Sequence, residues 1–480
     1  MRKNILSRPI ILLFILPSVI FLTPGLAHAD VSQSSLVFQT QRRFIEEEYI
    51  NKLKKSELPG FLGKEEAVKF ETGGLLSSSY EYYQNTDNNS SQKDLLSAVI
   101  TQDLFVWGKA TFSNGNYVYI RGRDTYTIRD TSSLYTGPSP SGNNKPTLDM
   151  AYLSMRHKQY SLNLGRQYFI VGKGVAYRDI NDGLQLTSYS DKWLYKFLFA
   201  HSLPHENNVD YSVPGFDKYG NDRFFWGGEV GYLAKETSKA YLFFLIQKDN
   251  SKAKPADPTQ NYHYDSQYLG TGFSSLKDNF TFYGEIIKEF GTSHTDSSTS
   301  GTSVRKPIDA WGGFLGTRYR FKQPFEPSTD IEIAYGSGDK DRSNVTNTKG
   351  GNKSGKDTNF SYFGDYAGGY ALSPRLSNLY IYKLDQSLKP FFFTNSFKDI
   401  TVGLKFYTYL KDKRGGGISD FEATDNHKFV GNEFDFYLYW SITKDLNFVM
   451  RYGIFYPGNA YPVNTDTNTK YAYARLTYVF

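Results

Sequence analysis

The 480-residue chain contains no cysteine. This excludes a disulfide framework, a thiolate metal site and a thiol nucleophile. Past its N-terminus the chain has no run approaching the ~18 apolar residues of a spanning helix, so helical membrane spans are excluded there. Enzyme signatures are missing too: there is no G-x-S-x-G elbow, no P-loop and no dinucleotide fingerprint after a strand. His201 and His205 have H-x-x-x-H spacing, but Pro204 and the β-type pattern before it break the helix such a metal pair needs. Asp339, Asp341 and Asp357 fit neither an EF-hand nor the nonapeptide calcium repeat. The formal charge is only +6, which leaves no basic stripe of the nucleic-acid-binding kind. The chain reads as a non-enzyme without cofactor, metal or nucleic-acid partner.

What is abundant is aromatic. There are 39 Tyr and 37 Phe, and aromatics make up 17% of residues at a mean hydropathy of −0.51. That combination suits a transmembrane β-barrel, in which only alternate residues face lipid and aromatic girdles sit at both interfaces. The last ten residues show the pattern. Ala472, Ala474, Leu476, Tyr478 and Phe480 fall on one face; Tyr471, Tyr473, Arg475, Thr477 and Val479 fall on the other. A period of two is a strand. A final strand ending on an aromatic resembles the closing strand of bacterial outer-membrane barrels, which implies that Phe480 is the signal read by the barrel assembly machinery.

The chain divides into three parts. Residues 1–29 are a predicted signal peptide: Arg2, Lys3 and Arg8 precede the apolar run Ile10 to Leu22, and Ala27-His28-Ala29 is a cleavage site. Residues 30–68 form a predicted periplasmic extension. Its Ile45, Tyr49 and Leu53 recur every four residues among charges and predict a short amphipathic helix ending before Pro59-Gly60. That helix is either a plug or docking element, or a solvated extension. Residues 69–480 are the predicted barrel, all-β, with about 18 antiparallel strands and 16 as the alternative. Connections alternate short and long, as periplasmic turns and extracellular loops do. The long ones include Ile170–Asp182 and Ser337–Leu376, and the strands include 183–190 and 377–393. Ser337–Leu376 is the longest loop, and reads as an inward constriction or a surface loop.

Parity assigns the faces. With Val118, Ile120 and Gly122 outward, Arg121 and Arg123 face the lumen; with Trp311, Leu315, Thr317 and Tyr319 outward, Arg318 and Arg320 do. The same argument turns Lys196, Lys405, Arg451 and Arg475 inward, because a basic residue at mid-depth on the lipid face costs roughly 2–4 kcal/mol. Glu81, Glu229, Glu285, Asp330, Glu332, Glu433 and Asp435 lie opposite apolar positions and also face inward. Such charges either set selectivity or pair off and hold the shape.

One hairpin carries a family likeness. Leu162-Asn-Leu-Gly-Arg166-Gln167, then Gly172-Lys-Gly174, then Asp182-Gly183 resembles the bacterial alginate-export porin family. The resemblance implies a monomeric outer-membrane barrel of a Gram-negative cell, carrying a solute or polysaccharide. It also implies that Arg166 and Asp182 line the constriction. In that family an arginine-rich lumen attracts uronate carboxylates, whereas this inferred lumen carries both signs. The expected function is passive transport or export of a polar or anionic solute. The alternative is a barrel sheath around a periplasmic or surface partner, such as a redox protein, docked on residues 30–68.

Overall fold

The computed structural model describes residues 68–86, 96–131, 146–203, 222–235, 238–250, 263–295, 303–342, 345, 355–463 and 467–480. The predicted leader and the 30–68 extension lie outside the described residues, save Val68, which opens the first strand.

Among the described residues there are strands and turns but no helix. In chain order the strands are β1 (Val68–Gln84), β2 (Leu96–Phe112), β3 (Tyr117–Thr131), β4 (Thr147–His157), β5 (Tyr160–Val171) and β6 (Tyr177–Ser190). Next come β7 (Trp193–His201), β8 (Arg223–Lys235), β9 (Ser238–Asp249), β10 (Asp265–Lys277), β11 (Phe280–His294) and β12 (Arg305–Arg320). The last six are β13 (Ser328–Gly336), β14 (Leu379–Leu388), β15 (Ile400–Lys411), β16 (Phe429–Ser441), β17 (Leu446–Pro457) and β18 (Thr469–Val479). Each pairs antiparallel with its neighbours in sequence, and β1 pairs with both β2 and β18, so the sheet closes without an edge. A closed sheet satisfies every ladder group, which lipid requires. It also accounts for a large fold without disulfides.

The closing contact is specific. Gly74 N–H donates to the Phe480 carbonyl at 2.8 Å, and Phe480 N–H donates to the Gly74 carbonyl at 3.1 Å. A β-carbon on Gly74 would collide with the Phe480 ring, so the glycine leaves the seat in which the terminal aromatic lies. Gly74→Leu is therefore expected to lower the yield of closed barrel severalfold, as Phe480→Ala would. The heat-sensitive mobility shift of the refolded protein on a detergent gel reads this out. Wild-type yield from Gly74→Leu would count against the seat.

Alternation holds along the wall. In β9, Leu242 and Phe244 are exposed to the lipid side, while Tyr241, Phe243, Leu245, Gln247 and Asp249 are buried. This inner face is apolar in part because chain, not water, fills the lumen beside it. The buried cluster joins Phe243, Leu245 and Ile287 of the wall to Val175, Phe360 and Phe363 of inward-folded segments.

Two boundaries differ from the sequence expectation. The connection read as Ile170–Asp182 is only the turn between Val171 and Tyr177, because Arg178, Asp179, Asn181 and Asp182 belong to β6. This strand carries polar residues at both faces near its start, and in sequence they resemble a loop. The strand read as 377–393 ends at Leu388; Pro390 lacks a ladder donor, and Phe391, Phe392 and Phe393 form part of a long turn at the rim.

Candidate functional site: the lumen and its inward-folded chain

The connection after β13 does not stay above the barrel. Phe363, Gly364 and Asp365 donate backbone N–H groups to the carbonyls of Ala176 (2.9 Å), Val175 (3.1 Å) and Gly174 (2.9 Å). The turn Gly172–Ala176 and the segment Phe360–Leu376 thus pair with each other inside the wall, and Tyr177 and Phe363 form a parallel bridge. Five aromatics (Phe360, Tyr362, Phe363, Tyr366 and Tyr370) occur in eleven residues of this connection. That density was the available sign that it packs inward, since a surface loop has no apolar partner for them.

Most lumen carboxylates hold this inward chain. Glu433, fully buried, accepts three successive backbone N–H groups: Tyr370 at 2.6 Å, Ala371 at 2.7 Å and Leu372 at 3.0 Å. It also accepts the Tyr409 hydroxyl at 3.0 Å. Glu229 takes Gly172 N–H at 3.1 Å, and Glu285 takes Lys173 N–H and the Tyr241 hydroxyl, each at 2.6 Å. Glu332 accepts the Tyr366 hydroxyl at 2.8 Å. Glu289, not singled out from the sequence, takes Ser361 N–H at 2.8 Å and the hydroxyls of Tyr264 and Tyr268. Its parity with Glu285 was the missed signal. Glu81, further round the wall, accepts the Tyr83 hydroxyl at 2.6 Å. A buried carboxylate persists only where donors replace its water.

The basic residues divide differently. Arg121 pairs with Asp149, Arg123 with Asp103 at 2.7 Å, and Lys196 with Glu229 at 3.1 Å. Arg475 is buried in the wall. Arg318 begins a row of successive cross-strand partners running Arg318, Asp330, Asp385, Lys405, Asp435 along β12 to β16. Arg318 pairs with Asp330 at 3.1 Å, Lys383 reaches Asp330 and Glu332 at 3.3 Å each, and the Tyr437 hydroxyl donates to Asp385 at 2.9 Å. Lys405 has no carboxylate within ion-pair distance among the described residues. Its Nζ donates to the Tyr370 hydroxyl at 3.0 Å.

Below this row lies a cavity of about 520 Å³, lined by Arg318, Arg320, Asp330, Asp385, Tyr437 and Tyr439. The rim residues Lys322 and Glu326 come from the short turn between β12 and β13, and Lys389 follows β14 at the same end, which places its mouth on the periplasmic side.

Arg166 and Asp182 are not in the lumen. They share the outward face with Leu164 and Leu184, and bind each other at 2.8 and 3.0 Å. On a wall facing lipid and its headgroups, a bidentate pair neutralises what either charge alone would cost. His201 lies on the same outward row, beside Asp222 at 2.8 Å; His205 is outside the described residues. Asp357, weighed as a calcium ligand, is buried against Arg342 at 2.7 Å.

Residues 207–475 match the family model described as alginate export. Among curated proteins, none matches the sequence. In structure the chain is similar to outer-membrane channels of Pseudomonas aeruginosa. OccK8 (OprE) superposes with a TM-score of 0.53 at 10% identity, over 86% of this chain and 98% of that one. OccK2 (OpdF), solved in complex with glucuronate, gives 0.51 at 13% identity over the same shares. OpdK, solved with vanillate, gives 0.50 at 9% identity, again over 86% and 98%.

Proposed function

The chain belongs to the alginate export family, and from that we infer an outer-membrane β-barrel channel for the passive transport of polar and anionic solutes, not a catalyst. The observation that carries the reading is the periplasmic cavity beneath Lys405. Its lining includes Arg318 and Arg320, and its Tyr437 ring lies 5.1 Å from the ammonium of Lys405, which bonds a phenol. An anion drawn in by the basic rim meets, further in, a cation that makes no ion pair among the described residues. Solutes bound by similar channels, glucuronate in OccK2 and vanillate in OpdK, are of the size and charge that this reading requires.

Five of the inward acidic residues are already engaged. Glu229, Glu285, Glu332 and Glu433 face backbone or phenol donors, so their charge is spent on architecture. Asp330 is matched by Arg318 and Lys383. The reversal potential of the mature protein in a planar bilayer under a salt gradient tests the reading. Anion preference is expected, reduced by Arg318→Ala with Arg320→Ala, and strongest at low ionic strength because the rim is screened by salt. A barrel that never conducts, or whose cation preference those substitutions leave unchanged, would end it.

A further inference from the structure

The inward chain carries its own mimic of a solute. Tyr370 follows Gly368-Gly369, with Gly369 at φ +128°, a conformation that glycine reaches at little cost. It projects the tyrosine between two cations of the wall. Lys405 Nζ bonds the phenol oxygen at 3.0 Å and lies 4.5 Å from the ring centroid. Arg451 Cζ lies 5.4 Å from the same ring, and 5.8 and 5.6 Å from the rings of Tyr439 and Tyr473. Tyr437, which lines the periplasmic cavity, puts its ring 5.1 Å from Lys405 Nζ. Two cations and three wall tyrosines thus surround one planar ring with an oxygen at its tip.

Tyr370 is a weak occupant of that seat. A phenol has an ordinary pKa of about 10, and burial pushes Tyr370 further up, so the oxygen facing Lys405 is neutral. A carboxylate there would set an opposite charge against the ammonium, which the phenol meets only as a neutral acceptor. Asp385 and Asp435 flank Lys405 in register, yet neither reaches it within ion-pair distance, and Asp385 is engaged by the Tyr437 hydroxyl.

We propose that Lys405, Arg451 and the tyrosines 437, 439 and 473 form a binding site for small aromatic monocarboxylates, and that Tyr370 is a built-in competitor which such a solute displaces. The solute's carboxylate takes the place of the phenol oxygen at Lys405, and its ring takes the place of the tyrosine ring beside Arg451. This rests on the channel reading and names its solute class. The ring distinguishes that class from a uronate, because a flat π-face suits cations and neighbouring tyrosine rings better than a puckered sugar.

The test uses the full barrel in planar bilayers with 4-hydroxybenzoate as probe and glucuronate as comparison. Tyr370→Ala is expected to raise conductance severalfold. 4-Hydroxybenzoate is expected to block that variant at about tenfold lower concentration than glucuronate, a difference of ~1.4 kcal/mol. Adding Lys405→Met should abolish the difference. Tyr370→Phe, which keeps the ring and loses the bond to Lys405, should fall between wild type and Tyr370→Ala; it also serves if the alanine variant does not refold. Equal block by both acids, or block that survives Lys405→Met, overturns the site. Unchanged conductance in both Tyr370 variants, with Arg318-dependent anion preference intact, overturns the competitor while leaving the channel standing. Silence of every variant strikes at the channel reading itself.

Discussion

Glu433→Ala is expected to release the tip of the inward segment and raise single-channel conductance severalfold, with the barrel still closed and heat-modifiable. The carboxylate accepts three consecutive backbone N–H groups and one phenol. Hydrogen bonds to a charged acceptor contribute about 1.5–3 kcal/mol each, and a buried donor left without a partner costs about 1–3 kcal/mol. The terms do not add, and removing a buried charge returns part of its desolvation cost. Even a net loss near 3 kcal/mol shifts docking roughly a hundredfold. Glu433→Gln should act less strongly: it keeps one acceptor oxygen but points amide hydrogens at N–H groups. Wild-type conductance from the alanine variant would show that the segment is held elsewhere.

The root of the same segment should fail when Arg342 is removed. Its guanidinium binds Asp357 at 2.7 Å, with the two side chains 1% and 0% exposed. Asp357 also accepts the Ser293 hydroxyl at 2.7 Å, and its backbone bridges to β12 through Pro307 and Asp309. Deleting one member of a buried pair leaves the other uncompensated and costs about 3–5 kcal/mol. Arg342→Leu is thus expected to make the connection between β13 and β14 cleavable by protease in detergent, while the wild-type barrel resists. Arg342→Leu with Asp357→Asn should regain much of the resistance, since no lone charge remains. Equal resistance of wild type and Arg342→Leu would place the root's stability in the backbone bridge alone.

These two expectations rest on what the sequence showed least. The strands were legible because lipid imposes a period of two and the short turns punctuate it. The lumen was legible only as a sign of parity: Arg318, Lys405 and Glu433 point inward, but nothing in a single strand says what they meet there. Glu433 looks like any lumen charge until residues 370–372, more than sixty positions earlier in the chain, are found against it. Arg166 shows the reverse. It shares the parity of Leu162 and Leu164 and lies outward with them, whereas the family likeness of its hairpin implies a place at the constriction. The doubly apolar β9 carried the clue that the lumen is filled, since a strand with water on its inner face has no use for Phe243 and Leu245.

The row from Arg318 to Asp435 has a geometry of its own. Rungs of a ladder run perpendicular to the strands, and barrel strands tilt by about 35–45°, so successive partners on β12 to β16 do not lie at one level. Arg318 sits near the periplasmic end of its strand and Asp435 well inside. The charges therefore wind like a thread cut into a bore. A molecule passed from one to the next advances only by turning about the barrel axis, and the pitch of that turn is set by the tilt of the strands.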